Sequence, residues 1–590
     1  MKTVLTAVLI LLVSASIASA GQRKGRDIVR PSGGNSGRVI VIPDKASPVV
    51  RYAAKELQYF LGEILGVKPI IARESDADGK PGFVIGPCKR SAVPRKQLNS
   101  LREDGVLIKT VGKDIVLLGQ NDRGQLYSVY VLLERFMDVR FLAYDSTVIP
   151  KRANLTLPEI DYAYSPPFMY RETLYFDSFP KEIATRQRLN GPTTKCDADV
   201  GGKIQIFPYV HSFNKMISPD KYYAEHPEYF SLVKGKRTNL IIHGQLCLTN
   251  PDVLRIATAQ VMKWIEENPE VPIFDVSQND GEGACECEKC MAIVNEEGSQ
   301  HGPIMRFVNA IADEVAKKYP DKWIETLAYA YSMKPGAITK PRRNVIIRLC
   351  HAGCFFHGFE QCGLGANYAN YINEWSKQTG RIFIWHYATN FAHYISPNPN
   401  LTSLAKDIRY YSSHNVNGLM IQGEYESPGG EMAELRQYLS AQLMWDPSLD
   451  PVEITREFCR GYYGAASVDV LAYLALMDKA AARPDVHAFA AWDPKGTVPD
   501  TFLADGLKLI ERARKRALTP EQASRVDRLF LPLWYMQLTH PDLYGLDPAK
   551  APAIVKEFRR IVKASSITRI CEGGDINPWL VGMESRYPAK

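Results

Sequence analysis

Apolar positions first gather in a short strand-like run at 38–42, then fall into helical spacing over 50–65. There Ala53, Leu57, Phe60, Leu61 and Ile64 make one stripe, the mark of a helix with a single buried face. Apolar runs at 68–72, 82–85, 105–110 and 114–118 predict strands, and helical spacing returns over 125–136. These elements predict a small α+β domain within residues 21–160. The intervening Gly119-Gln120-Asn121-Asp122-Arg123-Gly124 fits neither the dinucleotide nor the P-loop pattern and reads as a structural turn.

From Phe168 strands alternate with helices. Strand candidates lie at 168–174, 205–210, 245–248, 272–276, 324–329, 345–349, 382–385 and 418–422. Eight strands with intervening helices predict an α/β chain built on a (β/α)8, TIM-like barrel over residues 161–445. The link over 331–344 carries two prolines and no helical period, so the barrel is expected to be imperfect there. After Gly429 the pattern is helical throughout, and residues 446–590 are expected to form a helical C-terminal region. Its last stretch, with Trp579, is expected to pack back on the body.

Composition narrows the class. With 590 residues and 45% hydrophobic content, the chain has core material for several domains. A net charge of +7 is modest at this size and comes without basic blocks, so no nucleic-acid partner is expected. Residues 1–20 read as a signal peptide: Lys2, an apolar core from Val4 to Val13, and Ala18-Ser19-Ala20 as cleavage site. No later run is long and apolar enough to span a membrane. The mature chain is therefore expected to be exported, to the periplasm or outside the cell.

In a parallel α/β sheet, chemistry sits past the carboxyl ends of the strands. Counting past those ends collects Arg171, Glu172, His211, Asn279, Asp280, Glu282, Tyr329, Trp385, His386, Tyr387, Asn390 and Glu424. Aromatic rings stack on sugar faces, while amides, His and Arg bond to hydroxyls. Glycoside hydrolysis needs two carboxyls flanking the scissile bond. Glu424 and Asp280, from the eighth and fourth strands, are the expected catalytic pair, with Glu282 as alternative proton donor. The other nine are expected to bind substrate. No nucleophile elbow, H-E-x-x-H or dinucleotide fingerprint is present, so esterase, zincin and dehydrogenase chemistry have no local support.

The loop after the fourth strand also carries Cys285, Cys287 and Cys290 as C-x-C-x-x-C. The loop is expected to be structural; its spacing leaves open thiolate-bound zinc, a disulfide or neither, and no fourth ligand lies within it. No catalytic cofactor or metal is expected. Cys350, Cys354 and Cys362 form a second group among eleven cysteines, an odd number.

The helix Arg51-Tyr52-Ala53-Ala54-Lys55-Glu56-Leu57-Gln58-Tyr59-Phe60-Leu61 resembles the opening helix of the N-terminal domain in family 67 alpha-glucuronidases. A similar domain precedes the barrel of family 20 beta-hexosaminidases. Gln245-Leu246-Cys247-Leu248-Thr249-Asn250-Pro251 and Ser277-Gln278-Asn279-Asp280 with C-x-C-x-x-C resemble an exported bacterial group, domain of unknown function 4838. The resemblance covers about residues 38–450 and implies a glycosidase-like barrel acting on an oligosaccharide or polysaccharide. The Asp-Glu pair of family 20 has no counterpart, because Gly281 follows Asp280. The expectation is a secreted glycoside hydrolase; the alternative is a carbohydrate-binding protein on a degenerate barrel.

Overall fold

The computed structural model describes residues 26–29, 38–77 and 79–588. The expected signal peptide lies outside these residues. Within the expected leader, Arg26–Val29 pairs antiparallel with Leu155–Leu157.

Six strands make the N-terminal sheet: β1 (Val39–Ile42), β2 (Ile70–Arg73), β3 (Gly82–Ile85), β4 (Val106–Val111), β5 (Asp114–Gly119) and β6 (Asp161–Tyr164). Their order is β6-β4-β5-β3-β1-β2. Helix α1 (Pro48–Leu65) starts where the Ser47 side chain accepts from the Val50 N–H, with Pro48 in its first turn. Its buried face is the stripe read from the sequence, and it packs beside α2 (Asp122–Met137). Asn121 caps α2 by accepting from the Gly124 N–H at 2.9 Å, which confirms the structural turn.

The barrel uses seven parallel strands: β7 (Tyr170–Leu174), β8 (Ile206–Phe207), β9 (Ile273–Asp275), β10 (Trp323–Ala328), β11 (Val345–Cys350), β12 (Ile382–Tyr387) and β13 (Val416–Gln422). They run in the order β7-β13-β12-β11-β10-β9-β8. Between β7 and β8 there is no ladder; one residue closes the gap. The Asn190 N–H donates to the Arg171 carbonyl at 3.0 Å, and the Asn190 carbonyl accepts from Ile204 at 2.8 Å.

The expected third strand, 245–248, is not a barrel strand. It folds back on its own neighbourhood, where the Ser231 N–H donates to the Gln245 carbonyl and the Cys247 N–H to that of Tyr229, both at 2.8 Å. A local partner satisfies this backbone, so β8 pairs directly with β9. Helices Pro251–Glu267, Glu288–Glu297, His301–Lys318, Ala366–Gln378 and Leu401–Ser413 cover the barrel. The β10–β11 link has no α-helix, in line with its prolines.

One continuous apolar core runs through the N-terminal sheet, the barrel wall and the C-terminal helices. Trp579 packs on Tyr535 and Phe558, with ring centroids 5.3 and 5.1 Å away. Buried ion pairs tie the parts together, among them Arg171 to Asp104 at 2.7 Å. Removing one partner of such a pair typically costs about 3–5 kcal/mol, because the other charge stays buried and uncompensated. Among the described residues, no helix is long and apolar enough to cross a membrane.

Candidate active site

The polar loop after β9 is built from the inside outwards. Ser277 takes the Ser212 side chain on its N–H at 3.0 Å, and Gln278 donates to the Tyr329 carbonyl at 2.9 Å. Asn279 bonds Asn214, Gly244 and the Asn214 N–H, and its own N–H donates to Gln245. With those residues locked in, the next side chain, Asp280, is the first to reach solvent. Gly281 and Gly283 then take φ of +86° and +100°, where a side chain would be strained, and the chain doubles back under His243.

Asp280 lines a cleft of about 370 Å³ at the strand ends, together with Val210, His211, Tyr329, Cys350, Trp385, Tyr387, Phe391, Gln422 and Tyr425. The Tyr329 hydroxyl donates to Asp280 Oδ1 at 2.9 Å. Trp385 is fixed by its Nε1–H, which donates to Gln422 Oε1 at 2.6 Å. Beneath it the Arg348 guanidinium lies 5.8 Å from the indole centroid and pairs with Glu325 inside the barrel. His211 bonds the Gln278 carbonyl through Nδ1 at 2.8 Å, so Nδ1 carries the proton. Burial pushes the Cys350 thiol up to about 12, which leaves it a neutral wall group and no nucleophile.

A second carboxylate enters from far along the chain. The hairpin of β14 (Arg569–Cys571) and β15 (Gly574–Asp575) brings Glu572 to the cleft lining. The rim holds this hairpin closely: the Glu572 N–H donates to the Phe391 carbonyl at 2.8 Å, and Tyr394 to that of Ile570 at 3.0 Å. Gly573 donates to Glu426 Oε2 at 2.8 Å, and Thr568 to Ser427 Oγ at 2.9 Å. Solvent reaches Glu572, yet its carboxyl is raised: crowding by the walls lifts it, and the charges of Glu426 and Asp280 add to that. A bond from the Tyr425 hydroxyl at 3.0 Å opposes the rise.

Of the twelve residues expected at the site, five line the cleft: Asp280, His211, Tyr329, Trp385 and Tyr387. The others do not. Arg171 is buried against Asp104 and the carbonyls of Phe168 and Arg188, where it joins barrel to N-terminal domain. Glu172 lies inside the barrel and accepts from Tyr170 and Thr193. Asn279 has its side chain committed to the loop, as described. Strand alternation sends His386 outwards, where its Nδ1 meets the Tyr411 hydroxyl at 2.9 Å. Asn390 holds the Trp492 carbonyl at 3.0 Å. Glu282 is exposed beyond the cleft lining.

Glu424 is the largest departure. It is buried, both carboxylate oxygens lack a hydrogen-bond partner, and it is absent from the cleft lining. Gly423, just before it, leaves room for the Tyr175 ring: a Cβ at 423 would lie 2.0 Å from that ring. β13 ends at Gln422, and the Glu424 side chain packs against Gly430. Burial, then the charges of Asp177, Glu434 and Glu426, push its carboxyl well above the usual range.

Three cysteines of the C-x-C-x-x-C loop do find a fourth. Cys247, from the displaced third segment, joins Cys285, Cys287 and Cys290, with all four sulfurs within 4.8 Å of one another. Cys247 and Cys287 are 3.7 Å apart, close to the edge of a zinc–thiolate tetrahedron, about 3.8 Å for bonds of about 2.3 Å. Arg237 Nη1 lies 3.8 Å from Cys285 Sγ and offsets part of the negative charge four thiolates would carry. A different group, His351, His386 and Asp407, is buried behind the β11 and β12 ends.

Comparison with known proteins agrees with the likeness read from the sequence. Residues 35–132 match the family described as Glycosyl hydrolase family 67 N-terminus. A search of curated proteins finds no match. Among solved structures, the chain is similar to a GH138 enzyme targeting pectin rhamnogalacturonan II, at 10% identity and a TM-score of 0.39, covering 93% of this chain and 98% of that one. It is also similar to CpGH84D, at 10% identity and 0.46, covering 90% and 91%, and to CpGH84B, at 11% and 0.40, covering 94% and 98%. The remaining match spans residues 141–475, more than half of the chain, and by it the chain belongs to the family described as Domain of unknown function (DUF4838).

Proposed function

We propose that this cleft hydrolyses a glycosidic bond in an oligosaccharide or polysaccharide, outside the cytoplasm, after export directed by residues 1–20. The observation that carries the reading is one aromatic cleft holding two carboxylates, Asp280 and Glu572, each oriented by a tyrosine hydroxyl. Glu572, whose raised carboxyl keeps its proton longer, is the proton donor to the leaving oxygen. Asp280 is the base or nucleophile. Trp385, Tyr387 and Tyr329 supply faces for sugar rings, and His211 a hydrogen bond. The cleft volume of about 370 Å³ is within the range of small-ligand sites, about 300–1,000 Å³.

Screening purified protein against aryl glycosides and polysaccharides tests this. Turnover of at least one supports it. Saturable binding that quenches tryptophan fluorescence, with no product from any bound glycan, would instead mark a carbohydrate-binding protein.

A pH test follows from the charge next to the donor. Glu426 raises the Glu572 carboxyl, and activity that needs protonated Glu572 declines as pH rises through its pKa. Glu426→Gln removes that charge, so the alkaline limb of kcat/KM against pH should move to lower pH. An unmoved limb would argue against Glu572 as the donor.

The four-cysteine group is read as a structural zinc site that braces the loop carrying Asp280. Its sulfurs lie outside the cleft lining. Cys287→Ser should therefore lower the melting temperature by several degrees and leave substrate preference unchanged. Unchanged melting together with lost activity would contradict a bracing role.

A further inference from the structure

A second group of four side chains of metal-ligand type lies outside the cleft lining. Cys354, His357 and Cys362 come from the loop after β11, and His487 from the segment after the helix Ser467–Ala481. Their ligand atoms all lie within 4.8 Å of one another. Cys354 Sγ is 3.6 Å from His357 Nδ1, and Cys362 Sγ is 3.6 Å from His487 Nδ1. In a tetrahedral site with zinc–sulfur bonds of about 2.3 Å and zinc–nitrogen bonds of about 2.05 Å, that edge is about 3.6 Å.

We propose that Cys354, His357, Cys362 and His487 bind a zinc ion that fixes one wall of the cleft. Two features beyond spacing support this. Both cysteines are buried. Two thiolates, two neutral imidazoles and one divalent ion sum to zero charge, so the buried position needs no counter-ion. A disulfide between Cys354 and Cys362 would leave the two imidazoles convergent without a role.

The ligand spacing carries the consequence. His487 lies 125 residues beyond Cys362, so the ion would staple a helical-region loop onto the barrel rim. The Phe355 N–H donates to the Ala488 carbonyl and the Phe391 N–H to that of Ala490, each at 2.8 Å. Ala490 and Ala491 then line the same cleft as Asp280. The zinc holds this wall and touches no substrate; it is a positioning element.

The test is metal content, which is independent of whether the cleft hydrolyses anything. Protein purified with zinc and without chelator should hold two equivalents per chain by mass spectrometry. X-ray absorption should show an average shell of three sulfurs to one nitrogen, the mean of a four-sulfur and a two-sulfur, two-nitrogen site. His487→Ala should hold one equivalent, and His487→Cys, which restores a ligand, two. One equivalent with an all-sulfur shell, no zinc, or a Cys354–Cys362 disulfide in a non-reducing peptide map would overturn the proposal. Because the absorption measurement uses the unmutated chain, it decides the question even if the alanine variant fails to fold.

Discussion

Glu572→Gln should lower kcat by about 10²–10⁴-fold, the usual worth of a positioned general acid, while sugar binding persists. The variant keeps the shape of the side chain and an acceptor for the Tyr425 hydroxyl, so the hairpin should stay docked. The loss should depend on the leaving group. A nitrophenolate departs without a proton, so activated aryl glycosides should lose far less rate than the natural linkage. Equal losses on both would mean that Glu572 positions substrate instead of protonating it. Asp280→Asn should differ in kind, because the base or nucleophile is needed whatever the leaving group.

Glu424→Gln should leave turnover within several-fold of the parent and change stability with pH instead. Both oxygens of Glu424 are buried without partners, and its folded carboxyl is raised far above the ordinary 4.5. A group raised in the fold contributes fully below its unfolded value, and the contribution is lost as pH climbs towards the folded value. The parent should therefore match the variant below about pH 4.5 and fall behind it above. The difference should grow by up to about 1.4 kcal/mol per pH unit while the carboxyl is protonated folded and ionised unfolded. Denaturant unfolding of both proteins from pH 4 to pH 8 measures this. A loss of turnover comparable to Glu572→Gln, with parallel stability curves, would return Glu424 to the catalytic pair.

Periodicity made most of the fold legible. Helix α1 shows its buried stripe in the sequence, and seven of eight strand candidates pair as parallel neighbours, because short β-branched runs between turns carry their own signal. The segment 245–248, Gln-Leu-Cys-Leu, is also a short apolar run but lacks β-branched residues and finds its backbone partners nearby at 229–231, a choice that apolar spacing does not encode. The site was legible where nearness to a strand's carboxyl end is all that must be known, as for Asp280, Tyr329 and Tyr387. It failed where the direction of one side chain decides, as for His386 and Glu424. Glu572 lay outside any strand-end count. Its one local signal is Cys571-Glu572-Gly573-Gly574, a tight turn after a short strand, with Gly573 at φ +69° and the acid at the tip. Likewise, Cys247 completes the four-cysteine group only because the third segment leaves the barrel.

The most direct test is a crystal structure of Glu572→Gln bound to a glycan that the parent protein cleaves. The expected result is a glycosidic oxygen within hydrogen-bond distance of residue 572, with the anomeric carbon facing Asp280. The carboxylate spacing in that complex would also assign stereochemistry, about 5–5.5 Å for retention and about 6.5–9.5 Å for inversion. Sugar bound with its scissile bond beside Glu424, or in the groove between α2 and the helix Pro451–Tyr463, which is lined by Arg188, Tyr438 and Trp445, would contradict the assignment of this cleft and this pair.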